Sequence, residues 1–282
     1  ITERLAARNA AFFPPPGEWG SGDDALVERY RRWGLVWGSG PHRVRYSVAY
    51  DPEDLRLVLN EMVTAAGVRL LFHAWGCEPV LEPETTIPAA QSLAADVDRI
   101  TAVTFQGKQG RFAIRAKVVI DTTGDGDLFA GAGCAFELER VLPWLWFRMG
   151  GVHDVEQAIA AGGWYFHTPG EGRVLLPWGA TERIGRKIDA TDPEDLTFAE
   201  IECRKQVMAE VDRLRAEVPA FRDAHVCDIA RQLGITESRR LQGAYVLGRD
   251  DIDRAFGDTI AVTGHWTKYG VRYAIPYRSL RS

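Results

Sequence analysis

The sequence predicts an α/β fold, in which a parallel sheet joined to a β-meander is followed by a second, α+β domain. Three observations carry this. A helix capped by Asp51-Pro52 feeds an apolar segment, Val68–Trp75, which is the βα grammar of a parallel sheet. Three short strand-like runs follow between 79 and 116. The last leads into Lys117–Glu137, where β-branched Val118, Val119 and Ile120 precede a turn holding Gly124 and Gly126.

A chain of 282 residues can bury a core in one large or two moderate domains. Its 46% hydrophobic and 26% charged residues are those of an ordinary globular protein, which argues against a disordered or fibrous chain. The net charge of −5, with both signs mixed along the chain, gives no extended nucleic-acid surface. No apolar run approaches the roughly 20 residues of a membrane span, and no signal peptide is recognisable. Cys77, Cys134, Cys203 and Cys227 are far apart and form no CxxC, so reduced thiols in a cytosolic protein are expected, with no metal site.

Residues 1 to 45 are irregular, because Pro14-Pro15-Pro16-Gly17 breaks any helix begun at Ile1. Trp19, Trp33 and Trp37 are either loop-packing residues or an aromatic patch for a sugar or flat ring. Asp51 is an N-cap, Pro52 the first helical residue, and Glu53 and Asp54 favour the positive end of the dipole. Leu55, Val58, Leu59, Met62, Val63 and Ala66 give the helix an apolar face, and Gly67 ends it. Pro79–Glu82, Arg99–Phe105 and Arg111–Ala116 form the meander, interrupted by a polar insertion, Pro83–Asp96.

The glycine turn is the main chemical signal. Thr122-Thr123-Gly124-Asp125-Gly126-Asp127 can bend sharply and let a ligand lie against the main chain. Asp127 would cap a short helix of small residues, and strand, turn and helix together present N–H groups to phosphate or ribose. The alternative is a tight connection that binds nothing. A calcium loop fails, because Ala132 stands where a bidentate Glu is needed. Neither GxGxxG nor GxxxxGK[ST] occurs.

After Glu137 the chain turns rich in aromatics and glycine, marking a second domain. Thr191-Asp192-Pro193 opens a helix reaching about Val218, with Ile201, Val207, Met208, Val211 and Leu214 as its apolar face. Glu194, Asp195, Glu200 and Glu202 read as its solvated face. Ser238, Arg239 and Arg240 form a second polar cluster, able to hold an anionic substrate or the edge of a ring, or else a structural ion-pair knot. His153, His167, His225 and His265 are candidate bases by residue type alone, and no catalytic base is assigned. Tyr273–Leu280 is a return strand whose Pro276 marks an edge or strand end.

Four motifs fall in one order: Tyr50-Asp51-Pro52-Glu53 through Ala66-Gly67-Val68; Val119-Ile120-Asp121-Thr122-Thr123-Gly124-Asp125-Gly126-Asp127; Glu237-Ser238-Arg239-Arg240 with Gly243; and Ile275-Pro276-Tyr277-Arg278-Ser279-Leu280. Together they resemble a family of bacterial FAD-dependent oxidoreductases with the glutathione-reductase-like flavoprotein fold. Thr236 stands where the family has a basic residue. The resemblance implies FAD as cofactor and an incomplete Rossmann-like FAD-binding domain over 46–137. It further implies a substrate or cap domain over 138–270 and a return strand over 271–282, with 1–45 as a connecting segment. It places Asp121, Thr122, Thr123, Gly124, Asp125 and Gly126 beside the dinucleotide, and Ser238, Arg239 and Arg240 near the flavin edge or substrate. The family's opening strand–GxGxxG–helix unit, ~30 residues long, and its closing segment are not found in these residues, so the expectation is an FAD-dependent oxidoreductase or a truncated portion of one.

The implied function is hydride or electron transfer through flavin to or from a small-molecule substrate. Two other classes stay open: a remnant of the fold that binds no flavin, and a carbohydrate-binding protein, suggested by nine tryptophans but unsupported by any hydrolytic carboxylate pair. An exposed sheet edge would call for an oligomer or partner to cover it.

Overall fold

Two Asp-Pro starts set the longest helices, and both form where the local signals place them. The computed structural model describes residues 1–36, 41–83, 98–162, 164–179, 184–236, 238–264 and 272–279. Trp37, the insertion between 84 and 96, Glu237, His265 and Leu280 lie outside the described residues. In chain order the helices are α1 (Thr2–Ala6), α2 (Asp24–Arg31), α3 (Pro52–Ala65), α4 (Asp127–Gly131), α5 (Val155–Ala161) and α6 (Pro193–Glu217). The strands begin with β1 (Ala11–Phe12), β2 (Ala49–Tyr50), β3 (Trp75–Pro83), β4 (Asp98–Gly107), β5 (Gly110–Arg115) and β6 (Phe136–Leu138). There follow β7 (Trp144–Gly150), β8 (Phe166–His167), β9 (Val174–Gly179), β10 (His225–Ile229), β11 (Arg239–Leu241), β12 (Thr259–Gly264) and β13 (Arg272–Pro276).

The chain divides into two units. The first comprises 1–68, 140–236 and 249–275. Its centre is the antiparallel sheet β10-β7-β9-β8. Strand β7 alternates as a two-residue period requires: Leu145, Phe147 and Met149 are buried in the main core, while Trp146 and Arg148 point the other way. Helix α6 covers the core face with Ala199, Cys203, Val207, Val211 and Leu214, all fully buried. Ile201 and Met208, expected on that face, are instead 51% and 43% exposed. The buried row runs instead through Ala199 and Cys203, four residues apart in line with Val207 and Val211, and Ile201 and Met208 fall outside it. Asp195 also departs from the solvated face expected of it. It is buried and accepts from Arg186 Nη1 (2.6 Å) and the Asp189 N–H (2.7 Å). In α3, Asp51 Oδ1 accepts from the N–H groups of Glu53 and Asp54, and Val58 packs on Leu5 and Ala10.

The second unit comprises 69–139, 237–248 and 276–282. Its meander, β3-β4-β5, is antiparallel and matches the three predicted strands. Phe105 and Phe112 stack across it at 5.7 Å. Helix α4 lies against β3 so closely that a Cβ on Gly131 would come within 2.9 Å of Pro79. Strands β6 and β11 form a separate antiparallel ladder.

Two expected strands of a parallel sheet are not strands. Among the described residues every pairing with a given register is antiparallel, and neither 68–74 nor 118–121 joins a sheet. Phe72 is 67%, Val118 76% and Ile120 78% exposed. A β-branched run reads as buried only when neighbouring strands bond its backbone and cover its faces, and no described residue does so here. The chain is thus a mixed α/β protein with several small sheets. No described helix is long and apolar enough to cross a membrane, and the four cysteines are free thiols.

Candidate functional site

In the second unit, Asp121 organises the glycine turn. Its Oδ1 accepts from the Thr123 N–H (3.0 Å) and Thr123 Oγ1 (2.7 Å). Its Oδ2 accepts from the N–H groups of Leu128 and Phe129, both at 3.1 Å. The Asp127 N–H donates to Thr123 Oγ1 at 2.9 Å. Burial works to raise the Asp121 pKa, but the Thr123 donors and the two helix N–H groups outweigh it and hold the carboxyl below its usual range. Helix α4 starts because this carboxylate, and not the expected Asp127, satisfies its first donors. The start of α4 is therefore closed to a phosphate.

What the turn leaves open lies one step earlier. Thr122, Thr123 and Gly124 are exposed. Among the described residues, no protein acceptor takes the N–H of Thr122, Gly124, Asp125 or Gly126. The two glycines differ in purpose. At Gly124, φ is +89° and a Cβ would meet nothing within 4 Å, so the main chain there is bare. At Gly126, φ is +70° and a Cβ would lie 2.0 Å from the Phe129 ring, so the missing side chain makes room for protein. Gly126→Ala should cost about 2 kcal/mol through this clash and the left-handed backbone. A lowered urea midpoint would register it, with the far smaller effect of a surface mutation as the contrary result.

The two polar clusters read separately in the sequence are brought together. The Ser238 hydroxyl donates to the Asp125 carboxylate. Arg239 Nη1 donates to the Asp125 carbonyl (3.1 Å) and Asp127 Oδ1 (2.7 Å), and its guanidinium lies over the Phe136 ring. Arg240 points elsewhere, half-exposed, to Glu137 and Glu139 at 3.2 and 3.3 Å. Ser238 and Arg239 thus hold the turn in shape, and Arg240 keeps its charge at the surface.

The first unit contains a feature the sequence reading missed. Arg148 is buried, with Nε 3.0 Å from both Asp228 oxygens and Nη1 2.8 Å from Asp51 Oδ2. Burial opposes its charge, but the two carboxylates more than offset this and raise its pKa above the ordinary value. Burial likewise opposes ionisation of Asp51. Arg148 and the N–H groups of Glu53 and Asp54 prevail and keep it below the usual carboxylate range. A lone Arg in the apolar run Trp144–Gly150 was the available signal, since such a charge needs burial with partners. Arg148 lines a cavity of about 500 Å³ whose walls include Trp33, Trp146, Phe166, His167, Thr168 and Ala230.

The candidate bases among the described residues, His153, His167 and His225, do not converge. His153 pairs with Asp223 at the surface, Nε2 to Oδ2 2.7 Å, and His225 is exposed on β10. His167 stacks on Trp33 at 5.1 Å, and burial together with the Arg32 cation lowers its pKa. No cluster of metal-ligating side chains occurs among the described residues.

An exposed turn whose N–H groups have no protein acceptor can take an anionic group. The family model for FAD dependent oxidoreductases matches residues 20–184 and 160–282, most of the chain. The protein belongs to that family, and its cofactor is FAD. No curated protein matches it. The turn fits the group: Gly124 offers open space over a main chain whose N–H groups await an acceptor.

Proposed function

We propose that the protein transfers hydride or electrons between FAD and a small-molecule substrate, with the Asp121–Gly126 turn lying against the dinucleotide. The single observation behind this is the open, donor-rich backbone at Gly124 in a member of an FAD-dependent family. Bound flavin supplies the redox chemistry, accepting or releasing a hydride. Thr122, Gly124 and the partly exposed Asp125 offer N–H groups to the dinucleotide's oxygens, and the buried Gly126 shapes the bend beneath them. Asp121 and Thr123 hold the bend open by satisfying each other and the start of α4. Ser238 and Arg239 fix Asp125 and Asp127, so their place at the flavin edge is that of positioning residues. Arg240, paired among the described residues with the exposed Glu137 and Glu139, is a cation available to a substrate.

On this reading 46–137 is the FAD-binding part, Rossmann-like in its complete form. Residues 138–270 are a substrate or cap insertion, and 271–282 return to the first part, with 1–45 connecting. The assembly of the second unit from three separated segments supports an insertion. The bare apolar segments around Phe72, Val118 and Ile120 support a partner or second copy that covers them. A cytoplasmic location accords with free thiols at all four cysteines.

Titration of the protein with FAD, followed by flavin fluorescence, tests the proposal. Saturable quenching is expected. Thr122→Glu, which places a carboxylate on the exposed turn, should weaken FAD at least tenfold, while stability stays within about 0.5 kcal/mol. A colourless protein that takes up no added FAD would overturn the proposal in favour of a non-catalytic fold.

A further inference from the structure

The central sheet of the first unit has one face filled by α6 and a second face that is only partly covered. The filled side carries Leu145, Phe147, Met149, Val174 and Leu176. On the other side Trp146 and Arg148 of β7 stand two residues apart. Leu175 of β9 pairs with Arg148, and Phe166 of β8 pairs with Leu175, so all four share that face. The chain at 33–35 and 48–56 lies over it and leaves a cavity of about 500 Å³. Trp146, Phe166, Leu175, Leu35 and Val48 give that cavity apolar walls, which favour an apolar ligand body.

The charged part of the wall is positive by one. Arg56, Arg148 and Arg231 line the cavity against Glu53 and Asp228. One layer back, Asp51 takes Arg148 at 2.8 Å and Arg173 at 3.6 Å, so Asp51 and Arg173 cancel and leave the surplus unchanged. His167 also lines the cavity, but burial and the Arg32 cation lower its pKa, so it is neutral at pH 7. Arg32 itself is paired with Glu156, which also meets His167 at 3.2 Å.

The surplus sits on two particular side chains. Arg148 is spent, because its Nε, Nη1 and Nη2 all bond to Asp51 or Asp228. Arg56 and Arg231 are not. Arg56 Nη1 and Arg231 Nη2 reach the same oxygen, Glu53 Oε1, the latter at 3.1 Å, and neither guanidinium makes another bond among the described residues. Two cations thus share one carboxylate, and a guanidinium has donors enough for a second acceptor. Both side chains are largely exposed, which puts them at the mouth, in reach of a ligand's charged end.

We propose that this cavity binds a monoanionic carboxylate with an apolar body, its carboxylate held between Arg56 and Arg231 and its body against Trp146, Phe166 and Leu175. Guanidinium forks match a carboxylate through charge-assisted hydrogen bonds, and a single negative charge cancels the surplus. The inference stands apart from flavin binding, and its test uses none. Calorimetric titration with octanoate at pH 7 and low salt should show saturable one-to-one binding. Octylammonium, of the same chain length, meets like charge and should bind more weakly by at least about tenfold. Acetate, with the charge but no body, should not saturate. Arg56→Gln and Arg231→Gln should each weaken octanoate, and together by about tenfold, through loss of charged hydrogen bonds. Ala230→Phe, which fills the space from the wall, should remove binding, an unchanged melting curve showing that the variant is folded. Should that variant melt early, the arginine variants decide alone. Absence of saturable octanoate binding, equal binding of octylammonium or acetate, full affinity in the folded double arginine variant, or binding that survives in folded Ala230→Phe would each overturn the proposal.

Discussion

Replacing Arg148 by Met should lower the unfolding free energy by about 3–5 kcal/mol, the cost of leaving buried charge without its partner. Methionine keeps most of the side chain's length, so the loss reports electrostatics more than a void. Asp51 suffers most: its side chain is 14% exposed, against 42% for Asp228, and it keeps only the longer contact of Arg173 at 3.6 Å, while water can replace the guanidinium at Asp228. Asp51→Asn should therefore recover part of the loss in the Arg148→Met background, and the two changes should fall short of additivity. The sign of the acid response follows. The folded pKa of Asp51 is depressed, so its contribution is fully present above its unfolded value, about 3.9, and disappears as pH falls through the folded value. In Arg148→Met that depression weakens and acid unfolding should begin at a higher pH. Urea midpoints between pH 3 and 7 check this. A loss under about 1 kcal/mol at pH 7, typical of an exposed pair, would show that the triad is not buried in solution.

How much of this was legible in the sequence depends on the range of the interactions. Helices α3 and α6 begin at Pro52 and Pro193 because an Asp acceptor, a proline and acidic residues lie within four positions of each start. Strands β4 and β5 likewise carry their turn beside them in the chain. Val68–Trp75 and Val118–Asp121 fail for the opposite reason: burial of a strand on both faces is a property of its neighbours, which local pattern does not supply. The same holds for the sites. The glycine turn was visible as a motif, yet the use of Asp121 for the start of α4 depends on where one carboxylate turns. The bond from Ser238 to Asp125 spans 113 positions. Asp51 was legible as a cap through Oδ1, while its second role, at Arg148 through Oδ2, spans 97 positions. The cavity draws its walls from Trp33, Phe166 and Ala230, and no local signal joins them.

Asp121→Asn should weaken FAD at least tenfold and cost about 2 kcal/mol of stability, because the substitution disturbs the turn without adding bulk to it. The carboxylate accepts four hydrogen bonds, two on each oxygen. Asparagine keeps one acceptor oxygen for Thr123 and turns an NH₂ toward the N–H groups of Leu128 and Phe129, so two donors at the start of α4 lose their acceptor and meet a third. The helix can escape by fraying, which frees Thr123 and lets the bend at Gly124 lose the shape that bares its N–H groups. Asp121→Glu should not rescue, since a longer chain cannot place both oxygens at 3 Å from the same donors. The depressed pKa gives a second readout. Asp121 stabilises the turn above its unfolded pKa of about 3.9 and ceases to do so as pH falls through its lower folded value. Wild-type FAD binding should therefore persist at pH 4.5, whereas the Asn variant is weakened equally at pH 4.5 and pH 7. If the variant melts lower but holds FAD with wild-type affinity, the turn is a structural connection and the dinucleotide lies elsewhere.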